Sequence, residues 1–459
     1  MDMKRNIYVK LLLAIFAMVT LVGCGPDVEK PENVVQLPDN QVEHTLIMYL
    51  NADNNLSSSI YRNAEDAEQG MIGAMPSTRL IVYLDTAKDT RLYEVYYLSY
   101  GANNHVRYCK ELKSYPNQIS TTPEVMKSVL EDIKELAPSL SYGLVMAGHG
   151  SGWFPKPSAG VKYNDQKVAP IDGVGKEYDF LPYMQMGQTR YLGYDTVYNE
   201  DGSGTIDNEK SFANAAEIVE GLSPIHFDYI IFDACFMSSV EFLYEVRSAA
   251  DYIVASPVEI MACGLAYKEI VSNLMSRDHN VASIGDVVYD VYMRDDNFSR
   301  VKSLALATID CSKLDALADA VRDVVASTGI ENCVEMVESL LQPLVLDGRT
   351  TANWENVQPL DRMMPAAFND LEDFVQCLTD DDELLNRFYA ALDAAVVANV
   401  HTANIFSVGQ YYDYDFLEYL VDGKFDICGV STYIPRRKSP KTLECYLQTS
   451  WAKKVYGLE

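Results

Sequence analysis

Positive charge is scarce in this chain of 459 residues: 37 Lys and Arg stand against 66 Asp and Glu, a formal net charge of −29. Such a field repels phosphate backbones and excludes nucleic acid as a partner. Cysteine is too sparse, at nine residues, for a disulfide scaffold of this length. No two cysteines form a Cys-x-x-Cys pair, which argues against structural zinc. The histidines include no His-Glu-x-x-His, and no Gly-x-Ser-x-Gly elbow occurs, so a zinc-peptidase helix and an α/β-hydrolase nucleophile are both missing. Internal repeats and low-complexity blocks are absent. What is present is ordinary globular material, 48% hydrophobic and 22% charged, enough for two to three domains or one large α/β unit.

Only one apolar run is long enough to matter to a membrane, and it lies at the N-terminus. Lys4, Arg5 and Lys10 precede an apolar stretch from Leu11 to Val22. This is the pattern of a secretory signal and is set aside from the fold. Its end, Leu21-Val22-Gly23-Cys24, resembles the lipobox of bacterial lipoproteins. That resemblance implies cleavage after residue 23, a lipid on Cys24, and a bacterial cell-envelope address facing periplasm or exterior. Residues 24–42 then read as the lipidated Cys and a Pro-rich, charged tether.

From Thr45 onward, short apolar runs alternate with helix-like segments. Candidate strands are 45–51, 79–84, 142–147, 228–233, 252–255 and 304–310. Most are apolar almost throughout, as strands covered on both faces require. Helices are predicted between them, for example over 123–137 and 238–250. The alternation predicts an α/β fold with an open, largely parallel sheet flanked by helices. Residues 92–100 and 105–112 read as a hairpin extending one sheet edge. The stretch 154–208, rich in Gly, Pro, Asp and Tyr, reads as a long loop region. Residues 43–310 are the predicted catalytic domain and 311–459 a mostly helical C-terminal subdomain. That subdomain has apolar stripes in KLDALADAVRDVVASTG and ELLNRFYAALDAAVVAN, a closing strand over 427–435 and a short helix near Trp451.

Two predicted strands end in reactive side chains. The strand 142–147 runs into Gly148-His149-Gly150-Ser151-Gly152-Trp153, and the strand 228–233 runs into Ala234-Cys235-Phe236-Met237. In open α/β sheets ligands bind beyond the carboxyl ends of the strands, so both residues emerge on one edge. A thiol with a pKa near 8.5 is mostly protonated at neutral pH, and a neighbouring imidazole increases the reactive fraction. Glycines beside His149 let backbone N–H groups approach a substrate carbonyl. A Cys after a strand is by itself most often a small buried hydrophobe; the two residues together point to a dyad.

The strings LVMAGHGSGW and YIIFDACFMSSVEFLYEVRSAADYIVASPVE resemble the clostripain family of cysteine peptidases. The resemblance starts at HTLIMYLNADNNLSSS, resumes at SLALATIDCSKLDALADAV and ends at CGVSTYIPRRKSPKTLECYLQTSW. It implies a caspase-like fold, peptide or protein as substrate, no organic cofactor, Cys235 as nucleophile and His149 as base and proton donor. It also implies an oxyanion hole from the N–H groups of Gly150 and Cys235, and a structural role, as a helix N-cap, for Asp53 and Asn54. Cleavage after Arg or Lys, the family's preference, calls for pocket carboxylates. Asp233 matches one. Cys263 and Leu265 stand where a second acid and a Trp are expected, so the pocket reads as altered, with Glu259 an alternative source of charge. Lys156, Lys162 and Lys167 lie where the family is cut for activation. Calcium is a further family association. Asn199, Asp201, Ser203, Thr205 and Asp207 alternate as in a calcium loop, but Lys210 replaces the closing Glu, and an acidic surface loop is the other reading. The expected protein is a monomeric, lipid-anchored cysteine endopeptidase. The rival is a non-catalytic envelope lipoprotein that binds peptide or glycan on a peptidase-like scaffold.

Overall fold

The computed structural model describes residues 41–99, 105–116, 118–154, 195–198, 204–205, 210–276, 280–299, 301–329, 357, 360, 368–408, 414–416, 426–434 and 440–458. Cys24, Lys156, Lys162 and Lys167 lie outside them. The strands in chain order are β1 (Val42–Asn51), β2 (Thr78–Asp85), β3 (Thr90–Ser99), β4 (His105–Tyr115), β5 (Ser139–Ala147), β6 (Val197–Tyr198), β7 (Gly204–Thr205), β8 (Phe227–Asp233), β9 (Ala250–Ala255), β10 (Ala305–Asp310), β11 (Asn369–Asp370), β12 (Val396–His401), β13 (Phe406–Val408), β14 (Tyr414–Phe416) and β15 (Ser431–Thr432).

Nine of them form one sheet in the order β12-β10-β9-β8-β5-β1-β2-β3-β4. The five in the middle, β9 to β2, are mutually parallel, and antiparallel strands extend both edges. All six predicted strands occur. They are apolar throughout because both faces are covered. Along β1, β5 and β8 the residues Ile47, Tyr49, Leu144, Met146, Ile230 and Phe232 enter one core, while Leu46, Met48, Val145 and Ile231 enter the other. The first core is closed by the helices Pro123–Leu136, Ala215–Leu222, Val240–Val246 and Leu314–Ser327. The second is closed by Ser57–Gly70, Tyr267–Leu274 and Ile284–Arg294.

Three local expectations change. β10 runs antiparallel to β9, since a continuous apolar run reports burial on two faces and carries no direction. The helix expected to continue to Asn399 ends at Ala395, and Val396–His401 becomes β12, antiparallel to β10. Its three valines are stiff at χ1 and suit a pleated surface, and the pairing covers the open edge of β10. The closing strand shrinks to Ser431–Thr432, which pairs with Asn369–Asp370 and bridges to Ser239. The edge hairpin β3–β4 forms as predicted. Gly329 follows the helix Leu314–Ser327 at φ +73°, the left-handed position that stops a helix. Residues Gln41–Glu459 form one compact unit. Among the described residues, no helix is long and apolar enough to cross a membrane.

Candidate active site

The sheet reverses its winding between β1 and β5: the chain steps from β1 outward to β2, then returns to place β5 on β1's other side. Ligands bind at such a switch point, beyond the strands' carboxyl ends. β5 and β8 are parallel neighbours with Ala147 opposite Asp233. His149 and Cys235 each stand two residues further on, so the register brings them to the same height on the same edge. The Gly148 N–H donates to the Asp233 carbonyl at 3.3 Å and continues the ladder to this point. Both residues line one cavity of about 370 Å³, together with Asn55, Asp233, Glu259 and Phe406.

The loop that carries Cys235 is tightly constrained. Ala234 and Phe236 are buried, and Cys235 between them is partly exposed. Phe236 is the only described non-glycine residue with a positive φ, at 61°. A left-handed residue costs about 1–2 kcal/mol and persists where its surroundings over-determine it. Here the Phe236 ring stacks on Phe368 with centroids 4.4 Å apart, and its N–H donates to the Val258 carbonyl at 3.0 Å. The sulfur of Cys235 accepts the Ile260 N–H at 3.3 Å. The helix expected from Ser238 begins at Val240 instead, with Ser239 as its N-cap. Behind the loop, the Ser238 hydroxyl donates to the Gly429 carbonyl at 2.7 Å. Glu241 accepts from the Thr432 hydroxyl and the Tyr433 N–H, each at 2.8 Å. The C-terminal segment thereby braces the Cys235 loop from within.

His149 keeps an edge at the surface, yet enough protein surrounds the ring to push its pKa down to about 4. The imidazole is therefore neutral at neutral pH. Its Nε2 lies 2.7 Å from Oδ1 of Asn55. Sequence reasoning stopped at Asp53 and Asn54 and missed this residue. The helix after β1 starts at Ser57 with Leu56 at the cap position and no side chain capping it. Asn54 does local work: its Oδ1 accepts the Leu56 N–H at 2.8 Å, and its Nδ2 donates to Asn51 Oδ1 at 2.6 Å. The signal for Asn55 was its place just beyond β1, whose end adjoins β5.

Asp233 lies at the cavity wall and is almost fully buried. Desolvation pushes its pKa up to about 6, against hydrogen bonds from the Tyr267 hydroxyl, at 2.5 Å, and the Leu265 N–H. Cys263 turns its sulfur to the Tyr292 hydroxyl at 3.3 Å, and burial pushes its thiol up. Its neighbours Met261, Ala262 and Gly264 line the cavity. Leu265 is buried in the second core. Glu259, left unplaced by the sequence, lines the cavity and accepts from the Ser407 hydroxyl at 2.8 Å. Of the calcium-loop residues, Thr205 pairs with Val197 in the β6–β7 hairpin; Asn199, Asp201, Ser203 and Asp207 lie outside the described residues.

A mostly parallel nine-stranded sheet flanked by helices is the caspase-like fold of C11 cysteine proteases. A secreted C11 cysteine protease from Bacteroides thetaiotaomicron superposes with a TM-score of 0.66 at 24% identity, covering 90% of this chain and 99% of that one. An inactive zymogen C11 protease from Parabacteroides distasonis gives 0.67 at 23% identity, covering 92% and 100%. The clostripain-family model matches residues 178–454, well over half the chain, and the chain belongs to that family. It is 25% identical to clostripain of Hathewaya histolytica over 254 residues, 49% of this chain. That match spans 41% of the length of the curated relative.

Proposed function

We propose that the chain is a cysteine endopeptidase in which His149 and Cys235 act as a dyad. The observation that carries this reading is the register of β5 and β8, which sets the imidazole and the thiol at adjacent strand ends on one cavity. His149 takes the thiol proton as Sγ attacks the peptide carbonyl. The N–H groups of Gly150 and Cys235 receive the developing oxyanion. The imidazolium then protonates the leaving amine as the C–N bond breaks, and a thioester remains on Cys235. Water, deprotonated by His149, cleaves the thioester and restores the thiol.

Asp233 and Glu259 set two carboxyl groups into the wall of an otherwise largely apolar cavity. They support cleavage after Arg or Lys, with Glu259 supplying the charge that Cys263 does not. A related protease, the secreted enzyme of Bacteroides thetaiotaomicron, has been solved with an irreversible peptide inhibitor, in keeping with a peptide substrate here. The basic N-terminus, the apolar run and the Leu21-Val22-Gly23-Cys24 string support a lipid anchor on Cys24 at the cell envelope.

The test is a mass-spectrometric digest of a diverse peptide library by the purified chain, with Cys235→Ala as control. Cuts that vanish in the control and follow Arg or Lys support the reading. Cuts after apolar residues alone would overturn the basic preference. No cut above the control, with Cys235 inert to a thiol probe, would favour a peptide-binding lipoprotein.

A further inference from the structure

A dyad needs its imidazole in one tautomer, because only an unprotonated nitrogen can take the thiol proton. We propose that Asn55 is a positioning residue that holds His149 in the Nε2–H tautomer, leaving Nδ1 as the unprotonated nitrogen. This inference rests on the peptidase reading above. The two side chains meet at 2.7 Å, Nε2 to Oδ1, and both line the cavity that holds Cys235. The amide oxygen is an acceptor only, so the imidazole nitrogen opposite it carries the proton.

The loop that carries Asn55 is built to keep that acceptor in place. Asn54 on one side is tied to Asn51, its Nδ2 donating to the Asn51 carbonyl at 3.1 Å and to Asn51 Oδ1 at 2.6 Å. Leu56 on the other side donates its N–H to Asn54 Oδ1. Asn51 in turn donates to the Ser120 hydroxyl at 2.5 Å, and the Asp53 carbonyl accepts the Thr196 hydroxyl at 3.0 Å. A short exposed side chain on a free loop would be solvated; here the backbone on both sides is pinned.

An amide also suits the electrostatics. The titratable groups that share the cavity with His149 are Cys235, Asp233 and Glu259. A carboxylate at position 55 would stabilise the imidazolium and raise the His149 pKa. A neutral acceptor orients the ring while burial keeps it unprotonated at neutral pH. Asn55 therefore sets direction without adding charge, the role of the third member in other nucleophile–base arrangements.

The experiment combines steady-state kinetics with nitrogen-15 NMR of His149 in the full chain. It compares wild type, Asn55→Ala and Asn55→Asp, each checked for folding by thermal unfolding. We expect wild-type His149 to show Nε2 protonated and Nδ1 bare. Asn55→Ala should mix the tautomers and lower kcat about tenfold or more, with KM nearly unchanged. Asn55→Asp should restore the tautomer and lift the His149 pKa by about one unit, moving the acid limb of the kcat profile with it. Turnover by Asn55→Ala equal to wild type, or a wild-type His149 protonated on Nδ1, overturns the inference and leaves the peptidase reading standing. A wild-type chain with no Cys235-dependent cleavage removes both.

Discussion

Gly150 lies so close to Cys235 that a Cβ added to it would stand 2.5 Å from the Cys235 carbonyl oxygen and 2.8 Å from its amide nitrogen. The loop bearing the imidazole and the loop bearing the thiol are thus pressed together through backbone, and only a residue without a side chain permits it. Gly150→Ala must part the two loops. Overpacking of this kind costs about 1–3 kcal/mol. We expect a folded protein with a lowered melting temperature and at least a hundredfold loss of kcat, because a displacement of about 1 Å has that effect on positioned groups. A variant with wild-type kcat would show that the contact between the loops is dispensable.

Gly264 makes a similar contact behind the pocket. It sits at φ +70°, and an added Cβ would lie 2.7 Å from Asp233 Oδ2 and 2.5 Å from the Asn63 side-chain amide. Gly264→Ala adds left-handed strain of about 1–2 kcal/mol and pushes on the pocket carboxyl. Since Asp233 binds substrate in the proposed reaction without joining the chemistry, KM for peptides cut after Arg or Lys should rise several-fold while kcat changes little. Kinetics on a matched pair of basic and apolar substrates reads this directly; an equal loss on both would contradict the assignment of Asp233.

Glu259 is held by Ser407 of β13, so a C-terminal hairpin positions a pocket group. Glu259→Gln keeps an acceptor for the Ser407 hydroxyl and removes the charge. It should lower kcat/KM for Arg and Lys substrates by about tenfold, near 1.4 kcal/mol, and leave apolar substrates unaffected. Ser407→Ala should give a smaller loss of the same kind. Unchanged preference in the Gln variant would leave Asp233 as the sole source of charge.

The buried carboxyls give stability a pH dependence. Desolvation raises Asp233 to about 6, and Glu241 and Asp370 to about 7. Each keeps its proton in the folded chain at a pH where the unfolded chain has lost it. Their contribution is complete below the ordinary carboxylate range near 4 and disappears as pH rises through 6 to 7. His149 has the opposite sign: lowered to about 4, it contributes above its ordinary 6.5 and that contribution is lost as pH falls through 4. One pKa unit corresponds to about 1.4 kcal/mol, so three carboxyls outweigh one imidazole. Thermal unfolding should give a higher midpoint at pH 5 than at pH 8. Glu241→Gln, which removes one titration and keeps an acceptor for Thr432 and Tyr433, should reduce that difference; an unaltered difference would rule out Glu241 as a source.

Much of the fold was legible in local pattern. Six apolar strands and the edge hairpin could be read because each rests on burial on two faces or a two-residue period, both written into short stretches of chain. The errors fell where the deciding contacts are distant. Val396–His401 continues a helical pattern and becomes a strand because β10 presents an open edge nearly a hundred residues earlier. Residues 427–434 are short of ladder because their partners are Asn369, Asp370 and Ser239, and much of their polar backbone and side-chain bonding goes to the segment that follows Cys235.

For the candidate site, the sequence was sufficient to bring His149, Cys235 and Asp233 to one edge of the sheet. Each follows or ends a readable strand, and strand ends in a parallel sheet share an edge whatever their neighbours. Asn55, Ser407 and the strained Phe236 could not be found that way, and Glu259 could be named as a source of charge but not placed. Asn55 touches His149 across 94 residues and Ser407 reaches Glu259 across 148. A hydrogen bond of a few ångströms between such distant loops is set by how β1, β5, β8 and the C-terminal hairpin pack. Residue type and spacing along the chain therefore marked His149 and Cys235 as the candidate dyad, while the contacts around them and the carboxyls of the cavity wall came from packing between segments remote in sequence.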